Sequence, residues 1–302
     1  MNKKGQSWYV SIPLTMLFAV PLPLLARSRQ EPSLSTTSIH QMVENVAWNQ
    51  LQASEHPAHY YRFVERDILP DGSTTVDEIA TPHGSVDRLI EVDHHTPDRQ
   101  QLAKNQQLLS QLHGNTQLQQ SRFKDQQNDR QRRDNVIKDI PQAFIYTFDG
   151  RDQQGRIKLK FQPAPDFRPS SRQSLILQGM AGEMWIDPAT QRLVKINGSL
   201  INDVKIGWGF LARLNTGGTF LMEQSQGPDG TWHQKLLSVH FDGTVLLLKH
   251  IHIRVKQIQC CFERVPDNLT IRGAVQLLDT RTTLPKEWQA RLEAIEKSAP
   301  LN

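Results

Sequence analysis

Strands dominate the hydrophobic pattern between residues 179 and 262, where five or six consecutive β-strands are predicted. In the clearest, residues 245–258, five apolar side chains share one face: Val245, Leu247, Ile251, Ile253 and Val255. Asp242-Gly243 precedes it and suits a tight hairpin turn, because glycine adopts positive φ at low cost. Short turns between neighbouring strands imply antiparallel pairing.

Further strands are predicted at residues 58–68, 74–80, 86–92, 143–148 and 157–162. An amphipathic helix precedes them, because apolar residues recur at helical spacing from Ile39 to Ala47. A short helix ending at residue 278 and a final helix around Trp288 and Leu292 follow the sheet. The pattern predicts an α+β fold, with a strongly curved antiparallel sheet of about nine to eleven strands and helices against its concave face.

The core of this sheet is predicted from the inward positions of its strands. Most of its buried residues should come from one set: Trp185, Ile186, Val194, Ile196, Phe220, Met222, Val239, Phe241, Ile251 and Ile253.

Residues 96–138 interrupt the strands with a stretch rich in Gln, Asp and Arg. Leu102, Leu109 and Leu112 form a thin helical seam, and Gly114 can end that helix. We predict an inserted helical hairpin that projects from the sheet and is mostly solvated, because it lacks a wide apolar face. The alternative is an arm that docks a partner protein of the cell envelope.

The N-terminus resembles an export signal, with Lys3 and Lys4 before an apolar run that ends near Ala26. We therefore predict a signal peptide at residues 1–26, a flexible leader at 27–35, a main domain at 36–280, and a C-terminal helix and tail at 281–302. The expected location is the periplasm or the cell exterior of a bacterium; an uncleaved signal would instead anchor the protein to the inner membrane. Loss of Lys3 and Lys4 lowers the formal charge from +4 to +2, which does not favour a nucleic-acid partner.

One family resemblance rests on the segment from Gly182 to Ile196, in which two strands flank the turn Asp187-Pro188-Ala189-Thr190. Together with the signal, the first helix and the sequential strands, it resembles the LolA-like periplasmic carriers of outer-membrane lipoproteins, in a secreted branch with a helical insertion. The resemblance covers roughly residues 36–280. It implies an unclosed half-barrel with an apolar concave face, and carriage of a lipid or an acylated protein.

A glycine-flanked apolar loop at residues 204–220 is the expected mouth of such a cavity. The predicted ligand-binding residues are Trp208, Phe210, Leu211, Trp185 and Met222. The alternative is that the loop packs its aromatic side chains into the sheet core.

Signals for catalysis are weak: common hydrolase, phosphate-binding and dinucleotide-binding motifs do not occur. His250 and His252 share a strand face, but Arg254 and Lys256 beside them would repel a cation, so no metal and no cofactor are predicted. The preferred function is non-enzymatic binding of a lipid or acylated protein. The alternatives are a cell-envelope hydrolase, or an envelope docking protein that uses the hairpin.

Cys260 and Cys261 are the only two cysteines, and they are adjacent. Their Cα atoms lie about 3.8 Å apart across a trans peptide, below the usual disulfide range of about 4.4–6.8 Å. A bridge between them would be strained and could act as a redox switch. The expectation is two unpaired thiols, one on each face of a strand.

Overall fold

The computed structural model describes residues 35–206, 211–246 and 249–298, which belong to one compact unit. The predicted signal peptide, nearly all of the leader, and Trp208 and Phe210 lie outside the described residues. Among the described residues, no helix combines the length and the apolar character needed to cross a membrane.

Twelve antiparallel strands of the described residues form a single sheet that does not close into a barrel. The strands are β1 Tyr60–Leu69, β2 Gly72–Thr81, β3 Gly84–Val92, β4 Phe144–Arg151, β5 Ile157–Pro163, β6 Met180–Asp187, β7 Arg192–Leu200, β8 Val204–Ile206, β9 Ala212–Leu214, β10 Thr219–Gln226, β11 Trp232–Val245 and β12 Lys249–Val265. Their order is β3-β2-β1-β12-β11-β10-β7-β6-β5-β4, with β9 beside the end of β11 and β8 beside β9. The predicted α+β class and open antiparallel sheet are confirmed.

The described residues include five α-helices: α1 Thr36–Glu55, α2 Arg99–Gly114, α3 Thr116–Ala143, α4 Ile271–Leu278 and α5 Lys286–Ser298. Ser35 begins α1 as its N-cap, because its hydroxyl accepts a hydrogen bond from the Ser38 backbone N–H at 3.2 Å. Ile39, Val43 and Val46 then form the buried stripe that the sequence predicts.

Helices cover both faces of the sheet, which adds a layer to the predicted arrangement. We call the side covered by α1 and α3 the front face and the side covered by α4 and α5 the back face. On the front face, α1 packs on an apolar core from strands β4 to β7, including Leu159, Met184 and Ile196. On the back face, α5 packs its Trp288 and Leu292 against β1, β11 and β12.

The predicted hairpin at residues 96–138 corresponds to α2 and most of α3, but it packs against the rest of the protein. Leu109 and Leu112 of α2 are buried against α4, and α3 contacts both α1 and the sheet. Ser54 of α1 donates a hydrogen bond to Asp134 of α3 at 3.1 Å. Leu102, the third residue of the predicted seam, is exposed, so two buried leucines hold α2 in place and α4 supplies the rest of the apolar surface.

Two details of the β11–β12 hairpin differ from the predictions. Gly243 does not form the turn; it lies within β11, opposite Ile251, and a Cβ there would lie 2.2 Å from the carbonyl oxygen of Arg213. The glycine is therefore needed for the close approach of β9. Ile253, predicted to be buried, is 36% exposed, because the helices of the front face do not extend over this end of β12.

Of the predicted core, Ile186, Val194, Ile196 and Phe241 are buried.

Candidate functional site

An apolar strip crosses the front face on three adjacent strands beyond α1. Direct pairing places Phe220 of β10 opposite Val239 of β11, and Val239 opposite Val255 of β12. The strip is completed by the residues that share this face: Met222, Leu237, Phe241, Ile251 and Ile253. All of them except Phe241 retain some exposure to solvent. The front face therefore presents apolar side chains that the fold leaves incompletely covered.

A row of amide and carboxyl side chains continues the front face from the edge of this strip. Leu237 of the strip is paired with Gln257, and the amide of Gln257 donates a hydrogen bond to Asp67 of β1 at 3.1 Å. The amide of Gln259 donates to Glu65 at 2.5 Å. The strip and the row together make an amphipathic surface, apolar on β10 and β11 and polar on β1.

The row extends onto β2 and β3 through two further carboxyl groups. Glu78 of β2 lies opposite Phe63 of β1 and opposite Asp87 of β3. Arg122 of α3 reaches Asp87 at 3.2 Å. We call Glu65, Asp67, Glu78 and Asp87 the carboxyl row.

Burial makes the ionised forms of Glu65, Asp67 and Glu78 unfavourable. Loss of solvent raises the pKa of Glu65 to about 7, although the hydrogen bond from Gln259 partly opposes it. Desolvation and the charge of Glu65 raise the pKa of Glu78 to about 8. Desolvation also raises the pKa of Asp67. Near neutral pH, Glu78 is therefore mostly protonated and can donate a hydrogen bond.

A cavity of about 660 Å³ adjoins the row between α2 and the front face of β2 and β3. Asp87 lies in its floor, beside the apolar side chains of Val76 and Leu89, and Lys104 and Leu108 of α2 form part of the opposite wall. The cavity gives solvent and small molecules a route to the end of the carboxyl row.

The described residues of the predicted ligand site do not converge on one place. Met222 lies in the apolar strip. Leu211 is 50% exposed, and its carbonyl accepts a hydrogen bond from the Leu246 N–H at the outer end of β11. Trp185 lies on the back face, where Lys158 and Lys195 stand over its ring at 5.4 and 5.5 Å from the centroid. Met222 and Trp185 thus face opposite sides of the sheet and cannot line one cavity.

The carboxyl row was missed by sequence reasoning, although a signal for it exists. On β1, Glu65 and Asp67 alternate with Val64 and Arg66, so neither face of the strand is uniformly apolar. Charged residues at alternate positions of a strand in the middle of a sheet indicate buried charge. Which face they occupy and which partners they meet depends on strand pairing that the local pattern does not contain.

Within the described part of the chain, no group of three or more His, Cys, Asp or Glu side chains is arranged to hold a metal ion. His252 instead makes a hydrogen bond with Asp242 at 2.6 Å.

Comparisons of the chain with protein-family models, with curated proteins and with solved structures find no match.

Proposed function

We propose that this protein binds the acyl chain of a lipid or of an acylated protein on the front face, in the periplasm or outside the cell. The supporting observation is the apolar strip, which leaves three adjacent strands incompletely covered on a face that α1 and α3 otherwise bury. Burial of an acyl chain contributes about 0.8 kcal/mol per methylene. About eight buried methylenes would supply roughly 6 kcal/mol before ordering costs.

The carboxyl row refines the expected ligand. A headgroup placed beyond Leu237 would meet Gln257, Asp67 and Glu65. These groups suit a neutral or cationic headgroup that carries hydroxyl or amine donors, whereas an anionic headgroup would be repelled by any ionised carboxylate. The polar contacts would fix the orientation of the ligand and the strip would supply most of its affinity.

A fluorescent acyl probe with a neutral headgroup tests this proposal on the purified, delipidated protein. Micromolar or tighter binding is expected. Ile253→Asn should weaken it about tenfold, because burying an isoleucine side chain is worth about 1.5–3 kcal/mol. Ile145→Asn is the matched control: Ile145 is 55% exposed on β4 and lies on the back face. An absence of probe binding, or equal weakening by the two variants, would refute the proposal.

A second candidate function is a cell-envelope hydrolase, favoured by the raised pKa values of Glu65 and Glu78 in a carboxyl row whose end, Asp87, lines an open cavity. In this scheme, protonated Glu78 is the general acid and Asp87 is the general base. Incubation with cell-envelope polymers should then release fragments, and Glu78→Gln should abolish the release while Asp149→Asn leaves it unchanged. Equal release by the wild type and Glu78→Gln would exclude this scheme.

A further inference from the structure

The two adjacent cysteines lie on one side of the sheet because β12 contains a bulge. In the pairing with β1, Arg62 lies opposite Glu263 and Val64 opposite Cys260, so Cys261 and Phe262 together oppose Phe63. Cys261 has φ +64°, a conformation that disrupts strand alternation. Both cysteines are buried in the same back-face core. The expected placement of one thiol on each face is therefore wrong, whereas both cysteines are free thiols, as expected.

The surroundings of the two sulfur atoms make them chemically unequal. Both side chains lie in one buried cluster with Leu292 of α5, and Arg291 precedes Leu292 on that helix. Hydrogen bonding from the Cys260 thiol and the positive charge of Arg291 lower the pKa of Cys261, although burial opposes them. The same bond and burial raise the pKa of the Cys260 thiol. A larger fraction of Cys261 is therefore in the reactive thiolate form, and Cys260 lies beside it as the thiol that can resolve an intermediate.

We propose that Cys260 and Cys261 form a thiol–disulfide exchange site that is oxidised by a low-molecular-weight disulfide. The Cys261 thiolate attacks one sulfur of the oxidant, whose S–S bond breaks and releases one thiolate. Cys260 then loses its proton and attacks the Cys261 sulfur of the mixed disulfide, which releases the second thiolate. The protein loses two protons and two electrons, the oxidant becomes two thiols, and a bond joins the adjacent sulfur atoms.

Helix α5 controls access to this site. Cys260 is 7% exposed and Cys261 is 8% exposed, and Trp288 and Leu292 of α5 pack against them. The guanidinium of Arg281 lies 4.0 Å from the Trp288 ring centroid and helps to hold the start of the helix. An oxidant reaches Cys261 only when α5 moves away, which is a local opening rather than global unfolding. The site is independent of the proposed acyl-binding strip, which lies on the opposite face.

Intact-mass measurement of the reduced full chain in oxidised glutathione tests the proposal. The wild type should lose two hydrogen atoms and retain no glutathione. Cys260→Ser should retain one glutathione on Cys261, because the resolving thiol is missing. Cys261→Ser should form an adduct more slowly than Cys260→Ser. Retention of glutathione by the wild type, equal rates in the two variants, or reaction only in denaturant would overturn the proposal.

Arg291 supplies a second readout that depends on thiolate character. Arg291→Gln should slow the reaction about threefold per unit rise in the pKa of Cys261, because a tenfold loss of thiolate is partly offset by greater nucleophilicity. Arg133→Gln, an exposed substitution on α3, is the matched control and should leave the rate unchanged. Equal rates in Arg291→Gln and the wild type would remove Arg291 from the site.

Discussion

Replacement of Glu78 by glutamine is expected to stabilise the protein in alkaline solution and to have little effect in acid. Glu78 faces Glu65 and Asp67 of β1 and Asp87 of β3, while Arg122 from α3 is engaged by Asp87. Desolvation, followed by the charge of Glu65, raises its pKa from 4.5 to about 8. Glutamine retains the shape and hydrogen-bonding capacity of the protonated side chain and never ionises.

The magnitude follows from the linkage between proton binding and folding. A group whose pKa is higher in the folded state binds its proton more tightly there, so the free energy of unfolding falls as the unfolded chain ionises first. The fall begins near the ordinary pKa of 4.5 and is complete above about 8. At about 1.4 kcal/mol per pKa unit, ionisation of Glu78 costs the fold about 5 kcal/mol in alkaline solution.

Urea unfolding of the wild type and Glu78→Gln at about pH 4 and about pH 9 measures this difference. The two proteins should unfold alike at the lower pH, and the variant should gain up to about 5 kcal/mol at the higher one. Asp242→Asn is a control of opposite sign, because hydrogen bonds from Arg254 and His252 lower the pKa of Asp242 to about 2. It should destabilise the protein at neutral pH. A gain for Glu78→Gln that is the same at both pH values would show that the carboxyl group is well solvated, and the reasoning would fail.

Two further predictions concern stability and are measured by the same unfolding assay. Asp77→Asn should cost about 3–5 kcal/mol, because it leaves the buried guanidinium of Arg62 without the carboxylate that it contacts at 2.7 Å. Asp129→Asn breaks only an exposed pair and should change stability by less than about 1 kcal/mol. Ile258→Asp places a charge at a fully buried position and should cost several times as much as Ile253→Asp; equal losses would contradict the strand register.

The sheet could be predicted because its information is local. Turn residues and alternation mark the strands, and short turns leave antiparallel pairing as the solution. The position of the last hairpin turn was wrong because Gly243 has another role, which is to let the β9 backbone approach β11. Glycine indicates that a side chain is not tolerated, and the reason for that can lie in a strand thirty residues away in the chain.

The candidate site could be predicted only in part for the same physical reason. Met222 was placed on the apolar face by alternation alone, and the structure agrees. The bulge at Cys261 shifts alternation within one strand, and no residue pattern around it announces the shift. Glu65 and Glu78 become neighbours through the pairing of β1 with β2, and the desolvation that raises their pKa values depends on the tertiary fold.

The contrast between the two faces of β1 argues that the front face is the functional one. On the back face, Arg62 and Arg66 meet carboxylates: Asp77 at 2.7 Å for the first, and Glu91 at 2.7 Å for the second. Each of these two buried guanidinium groups has an opposite charge, as expected of a structural core. On the front face of the same strand, Glu65 and Asp67 accept hydrogen bonds from neutral glutamine amides.

The front-face carboxyl groups lower the stability of the fold when they are ionised, whereas Arg62 and Arg66 on the back face are paired with carboxylates. The raised pKa of Glu65, about 7, corresponds to roughly 3 kcal/mol of lost stability once the group is ionised. The free energy of unfolding of a protein is only about 5–15 kcal/mol. A neutral apolar residue in place of Glu65 would therefore stabilise the protein appreciably if the carboxyl group had no function. Unfavourable burial of this kind collects at sites where a ligand or a reaction requires it. A ligand headgroup that donates hydrogen bonds to Glu65 and Asp67 would offset that cost, which is why ligand binding should stabilise the protein more at alkaline than at acidic pH.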